Sequence, residues 1–308
     1  MFERVVQRID PHSRLLRAWE LKGGVSARVT ALEIERPDGH RKKLVVRQHG
    51  DADLRQNPRV AADEFKLLQI LQSAGLPAPA PYHLDESGEV FSTPYVVVEY
   101  IEGEPVFASS GEGDLVRELA AHLARIHNMD CSALDLSFLP RQEDRCAAAL
   151  RERPAEVDAS LDEGRIRDAL ESVWPLPRRN KSVLLHGDFW PGNILWRDGQ
   201  LVGIIDWEDA ALGEPLSDLA NSRLEILWAF GSDAMLSFTE RYSSLTGIDL
   251  TNLPYWDLWA ALRPIPKLGD WGVDAVVEQA MREGLRSFIA QALEDAAAHP
   301  SGKRRDKH

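Results

Sequence analysis

The sequence predicts an α+β protein of two lobes, a small antiparallel sheet first and a mostly helical remainder. Three observations carry this. β-prone runs at 27–35, 44–48 and 94–103 crowd into the first third, separated by turn residues. From Asp114 to Met129, Leu115, Leu119, Leu123 and Ile126 recur at steps of three and four, the period of a core helix. The chain has 308 residues, enough for two lobes that each bury a core. The expected division is 1–102 for the sheet lobe, 103–300 for the helical lobe and 301–308 as a basic, disordered tail.

Residues 1–18 carry a mixed, helix-like pattern. Near Leu16 the pattern becomes extended, and Gly23-Gly24 reads as a turn into the run from Ala27 to Glu35. Pro37-Asp38-Gly39-His40 is a second turn, so the sheet lobe starts as three antiparallel strands. Gly24 and Ser26 are candidates for a phosphate-covering loop, because glycine lets backbone N–H groups approach an anion and Ser26 adds a hydroxyl. Val45-Val46-Arg47 brings a cation to the end of the third strand, where a guanidinium would meet phosphate as a planar fork. Val60 to Gln72 reads as an amphipathic helix through Phe65, Leu68 and Leu71, with Glu64 near its start as a partner for Arg47. Gly75-Leu76-Pro77-Ala78-Pro79-Ala80-Pro81 stops that helix. Pro94 to Gly103 is a buried strand running into a linker.

Asp and Glu number 49 against 36 Lys and Arg, a net charge of -13. That opposes nucleic-acid and anionic-membrane partners. No apolar run is long enough to span a bilayer. The first residues lack a signal-peptide core, and the two cysteines, Cys131 and Cys146, read as reduced thiols. A cytoplasmic protein is expected.

The most informative stretch is His186-Gly187-Asp188-Phe189-Trp190-Pro191-Gly192-Asn193, followed by Ile204-Ile205-Asp206-Trp207-Glu208. Asp188 and Asn193 have the D-x-x-x-x-N spacing of a phosphoryl-transfer loop. Asp198-Gly199 between two apolar runs predicts a hairpin. Its closure would bring Asn193, just before the first strand, and Asp206, just after the second, to one open end. An amide oxygen and a carboxylate there suit Mg²⁺. Asp188, near the metal but not on it, suits proton acceptance from a hydroxyl. His186 reads as a structural hydrogen-bonding residue.

These motifs, with Gly213-Glu214-Pro215-Leu216-Ser217-Asp218-Leu219-Ala220, resemble the aminoglycoside phosphotransferase and choline kinase-like family over roughly residues 20–290. The resemblance implies a protein-kinase-like fold and use of ATP with Mg²⁺. It implies Asp188 as catalytic base, Asn193 and Asp206 on Mg²⁺, and Gly24 and Ser26 on the phosphate loop. Arg47 would stand at the phosphate position with Glu64 as its helix partner. Glu99 and Ile101 would offer backbone groups to adenine, and Asp218 would brace the catalytic loop. Many active members have Lys where this chain has Arg47.

The expected activity is ATP-dependent phosphorylation of a hydroxyl on an amino alcohol, an aminoglycoside-like antibiotic or a sugar-like metabolite. Trp207, Trp228, Trp256, Trp259 and Trp271, with Glu208, Asp257 and Asp270, would suit an ammonium group where they are not core. Arg263 and Lys267 in a Pro-broken segment would instead suit an acidic acceptor. A regulatory nucleotide-binding pseudokinase is the competing reading. Arg47 permits it, and the complete Asp188, Asn193 and Asp206 set opposes it.

Overall fold

A computed structural model describes residues 1–21, 27–107 and 112–298. Gly24, Ser26 and the 301–308 tail lie outside the described residues. In chain order come α1 (Phe2–Ile9), β1 (Arg14–Glu20), β2 (Ala27–Glu35), β3 (Arg41–His49), α2 (Asp51–Gln56), α3 (Val60–Ser73), β4 (Pro81–Asp85) and β5 (Tyr95–Glu99). Then follow α4 (Glu112–His127), α5 (Gln142–Arg151), α6 (Glu163–Val173), β6 (Val183–Leu185), β7 (Ile194–Arg197), β8 (Gln200–Ile204) and β9 (Ala211–Gly213). The chain ends with α7 (Leu216–Phe230), α8 (Ser232–Thr246), α9 (Leu253–Leu262) and α10 (Ala275–Ala298). It divides into two compact units, Met1–Glu104 with Ile194–Glu208, and Pro105–Asn193 with Asp209–His308.

The first unit is a five-stranded antiparallel sheet in the order β1-β2-β3-β5-β4. The expected turn at 37–40 joins β2 to β3, with Gly39 at φ 78. Val5 and Val6 of α1, Leu32, Leu44, Val46, Tyr95 and Val97 are buried together as its core. Strand β4 follows the proline-rich segment and was not foreseen from the sequence. Its first residue is a proline, which cannot donate to a ladder, and β4 is an edge strand, where that donor is dispensable. In α3 the buried residues are Ala61, Glu64, Leu67, Leu68 and Leu71, while Phe65 is half-buried. Glu64 thus sits on the apolar stripe itself.

The hairpin of β7 and β8 belongs to this unit. Asp198 (φ 54) and Gly199 (φ 74) both take the left-handed conformation, as a two-residue turn of the I′ type needs. Ile194 pairs with Ile204 at the open end. The hairpin is tied in by reciprocal Glu104 and Trp196 backbone bonds, both 3.0 Å, and by Ile204 N–H donating to Pro77 O at 2.6 Å.

The second unit is mostly helical. Helix α4 packs on α8, and α9 packs against α7 and α10. Leu150, Ile166, Leu170, Leu224, Leu258 and Leu285 lie in its core. Two short strands, β6 and β9, pair antiparallel, Leu185 opposite Ala211, and lead into and out of the motif region. Among the described residues no helix is long and apolar enough to cross a membrane.

Candidate active site

In the first unit the site is built around Arg47. On β3, residue 47 pairs with Val29 and Val96 in the neighbouring strands, so its position is set by the sheet. Its Nη2 donates to Asp206 Oδ1 and to Glu208 Oε2, both at 3.0 Å. Its Nε lies 3.1 Å from Glu64 Oε1. The expected Arg47–Glu64 pair is present, and two further carboxylates join it. Glu64 is 4% exposed and also lies 2.9 Å from His49 Nε2. Burial works against the Arg47 charge, but Glu64, Asp206 and Glu208 outweigh it and raise the pKa. Burial likewise opposes ionisation of Glu64, and Arg47 and then His49 overcome it, so the carboxyl lies below its ordinary value. A lysine ammonium would be a single point charge here, whereas the guanidinium serves three carboxylates at once.

Asp206 lies two residues beyond β8 with φ 65, in the left-handed region that Asp tolerates better than most residues. This turn carries the chain into Trp207, which is buried and donates Nε1–H to Ile204 O at 2.9 Å. Glu99 and Ile101 line a cavity of about 380 Å³ in the same unit, with Lys43, Tyr100, Glu102 and Val202. The Glu99 carboxylate accepts from Ala80 N–H at 3.2 Å, and Lys43 pairs with Glu102 at 2.8 Å.

In the second unit the loop after β6 carries Asp188 and Asn193. Gly187 has φ 84, and a Cβ there would lie 2.2 Å from Asp209 O, so only glycine fits. Asn193 Nδ2 donates to both Asp188 O and Asp188 Oδ2 at 3.0 Å. A backbone carbonyl can only accept, so the nitrogen prong is assigned, and the Asn193 oxygen points the other way. His186 is fully buried, and its Nδ1 accepts from Asp188 N–H at 3.2 Å. That lone pair is committed to holding the loop.

Asp218, near the start of α7, braces the loop from below. Its Oδ2 accepts from His186 N–H at 2.6 Å and its Oδ1 from Gly187 N–H at 2.9 Å. His127 Nε2 lies 3.2 Å from Asp218 Oδ2, and its Nδ1 lies 2.5 Å from the Tyr242 hydroxyl. Burial pushes the Asp218 pKa up, but the His127 hydrogen bond and the backbone donors outweigh it and the value is lowered. With Asp218 ionised, His127 Nε2 is the donor. We expect Asp218→Ala to orphan these donors and destabilise the protein by about 3 kcal/mol or more, measurable by denaturant unfolding, with turnover lost alongside.

Sequence reasoning did not connect Arg263, Asp209, Asn221 and Glu225 with Asp188. Arg263 follows α9, and its Nη2 lies 3.6 Å from Asp188 Oδ1. The Glu225 carboxyl on α7 is pushed up to about 8, by burial first and then by the charge of Asp188, against the pull of Arg263. Asn221 and Glu225 are one helical turn apart, a spacing visible in the sequence, but nothing local ties them to residue 188. Of the tryptophans, Trp207 and Trp256 are core, whereas Trp271 is 42% exposed and meets Trp228 edge-on at 5.9 Å. Asp257 holds buried Arg223 through two bonds of 3.1 Å and serves the core.

Mg²⁺ binds oxygen and takes only one or two protein groups when phosphates and water complete its shell. An Asp carboxylate such as Asp206 in the first unit, and an Asn amide oxygen such as Asn193 in the second, are each donors of that kind. Among the described residues no cluster of three or more His, Cys, Asp or Glu is placed to hold a metal by itself.

Residues 19–265 match the sequence model of the phosphotransferase enzyme family. The mouse (Mus musculus) acyl-CoA dehydrogenase family member 10 is 25% identical over 285 residues, which is 85% of this chain and 26% of that protein. The chain thus spans about a quarter of that relative's length. Viomycin phosphotransferase of Streptomyces vinaceus is 28% identical over 223 residues, 61% of this chain and 75% of that protein. A Ralstonia eutropha structure described as an aminoglycoside phosphotransferase superposes with a TM-score of 0.69 at 17% identity, covering 97% of this chain and 98% of that one. Spectinomycin phosphotransferase, in complex with ADP and spectinomycin, gives 0.60 at 16% identity, covering 97% and 98%. At these identities the structural likeness shows the fold, that of aminoglycoside phosphotransferases, which is protein-kinase-like.

Proposed function

The chain belongs to the phosphotransferase enzyme family, and from that premise we propose that it is an Mg-ATP-dependent small-molecule kinase. It transfers the γ-phosphate to a hydroxyl of an amino-alcohol, aminoglycoside-like or sugar-like acceptor. The observation that carries this reading is the Asn193 amide, pinned by its nitrogen to Asp188 at 3.0 Å, which turns its oxygen away from that carboxylate. This is the arrangement a D-x-x-x-x-N loop needs if one residue handles the proton and the other the metal.

In the proposed reaction Asp188 accepts the acceptor's hydroxyl proton. The hydroxyl oxygen forms the new bond to the γ-phosphorus as the bond to the ADP oxygen breaks. Asn193 and Asp206 would hold Mg²⁺, which neutralises phosphate charge when bound. Arg47 orients phosphate and is itself held by Glu64. Gly24 and Ser26 would cover the phosphates, and the backbone at Glu99 and Ile101 would take the adenine. In this assignment residues 1–102 form the nucleotide lobe, residues 103–300 the catalytic and acceptor lobe, and 301–308 a disordered tail. The cytoplasm is the proposed compartment.

The test is ADP release from Mg-ATP against a panel of choline, ethanolamine, kanamycin, viomycin and simple sugars. Turnover with at least one hydroxyl acceptor supports the reading. Nucleotide binding with no turnover for any acceptor would favour the regulatory pseudokinase instead.

A further inference from the structure

We propose that Arg263 is a positioning residue for the Asp188 carboxylate, holding one of its oxygens while Asn193 holds the other. The proposal rests on the reading of Asp188 as the base, and every residue in it belongs to the second unit. Asn193 Nδ2 donates to Asp188 Oδ2 at 3.0 Å, and Arg263 Nη2 lies 3.6 Å from Asp188 Oδ1. Each carboxylate oxygen therefore has its own partner on a different segment, a hydrogen bond on one side and an ion pair on the other, which restricts rotation about the last side-chain bond.

The guanidinium divides its work between its two prongs. Nη1 is the anchor, donating to Asn221 Oδ1 at 2.7 Å and to Gly187 O at 2.9 Å. Both acceptors are neutral and close. Nη2 is the working prong, 3.4 Å from Asp209 Oδ2 and 3.6 Å from Asp188 Oδ1. One planar group thus ties the catalytic loop, the segment after β8 and α7 to the same carboxylate. Two like charges, Asp188 and Asp209, converge on Nη2, so without it their repulsion turns Asp188 away. Arg145 Nη1 donates to Asp209 O at 3.0 Å and steadies the far side without reaching Asp188 in that contact. A lysine at 263 has a single ammonium and cannot anchor and reach at once. Arg263 is 37% exposed and Asp188 33%, so small solutes can reach the pair.

The test compares wild type with Arg263→Ala, Arg263→Lys, Asp188→Asn and the Asp188→Asn/Arg263→Ala double variant. Turnover is read as ADP release with the fastest acceptor of the panel above, or with water where none is faster. Arg263→Ala is expected to lower kcat by about 10²-fold, the cost of misplacing a reacting group by about 1 Å, with KM for ATP within about twofold. Added guanidinium chloride at low millimolar concentration should restore part of that rate, and Arg263→Lys should not. In the Asp188→Asn background, removal of Arg263 should cost nothing further, because the two act as one unit.

Unchanged kcat in Arg263→Ala overturns the proposal. So does a loss that guanidinium does not rescue and that adds in full to Asp188→Asn. Unchanged turnover in Asp188→Asn alone defeats the base assignment instead, which separates the two failures.

Discussion

Asp188→Asn is expected to lower kcat by about 10²–10⁴-fold, the range a positioned general base contributes. The substitution is nearly isosteric, and the backbone contacts around residue 188 remain. The loop is held by Asp218 through the N–H groups of His186 and Gly187, and the Asp188 N–H is held by His186. Folding should therefore survive. The side chain changes in two ways. It loses the carboxylate proposed to take the hydroxyl proton, and its amide meets the Nδ2 of Asn193, which in the wild type donates to Oδ2 at 3.0 Å. The measurement is kcat and KM for ATP and for the working acceptor, with a thermal melt as control. A large loss in kcat with KM for ATP nearly unchanged is the expected pattern, since the proposed reaction assigns the nucleotide to other residues. Turnover that survives unchanged would remove Asp188 from the mechanism.

Arg47→Ala has the largest expected effect on stability. It would leave Glu64, 4% exposed, as a buried carboxylate with His49 alone beside it, and breaking a buried pair costs about 3–5 kcal/mol. Asp206 and Glu208 are 33% and 22% exposed, so water compensates them in part and they add less. Equilibrium urea unfolding measures the difference. The change also alters acid sensitivity. In the wild type Glu64 has a lowered pKa, so its stabilising contribution is full above the unfolded carboxyl value of about 4.3 and is lost as pH falls through the folded value. Without Arg47 only His49 still opposes the effect of burial, and the Glu64 pKa moves up. The variant should therefore begin to lose stability at a higher pH than the wild type. An acid transition at the same pH in both would mean that Arg47 is not the group that keeps Glu64 ionised. Arg47→Lys should recover only part of the stability, because a point charge cannot serve three carboxylates.

Much of the candidate site's local structure was legible in the chain. The two-residue turn at Asp198-Gly199 is a local signal, and β7 and β8 form around it with Asn193 and Asp206 flanking the strands. Gly187 marks a backbone conformation that only glycine occupies comfortably at such close range. Helix α4 followed its leucine period, and its buried side includes Leu115, Leu119, Leu123 and Ile126. Strand β4 was hidden because a proline-rich lead-in normally signals a loop, and only its place at the sheet edge makes the proline harmless. Glu64 was expected as the partner of Arg47, and its burial was legible too. Its steps of three from Ala61 and four to Leu68 place it on the buried stripe, a signal the period contained.

The sequence by itself determined the α+β class, the hairpin and the Asp188–Asn193 spacing, because periodicity, turn chemistry and short-range spacing are local properties of the backbone. Only the tertiary structure decided which charges share a partner. Arg47 and Asp206 are 159 residues apart in sequence, and Arg263 and Asn221 are 42 apart. Contacts at such separations leave no periodic trace. They exist because sheet register carries Arg47 toward the turn after β8, and because α7 and α9 pack together and bring Asn221 and Arg263 within reach. Long side chains then settle by electrostatics within the positions that packing allows, a choice that no residue's own neighbours can make.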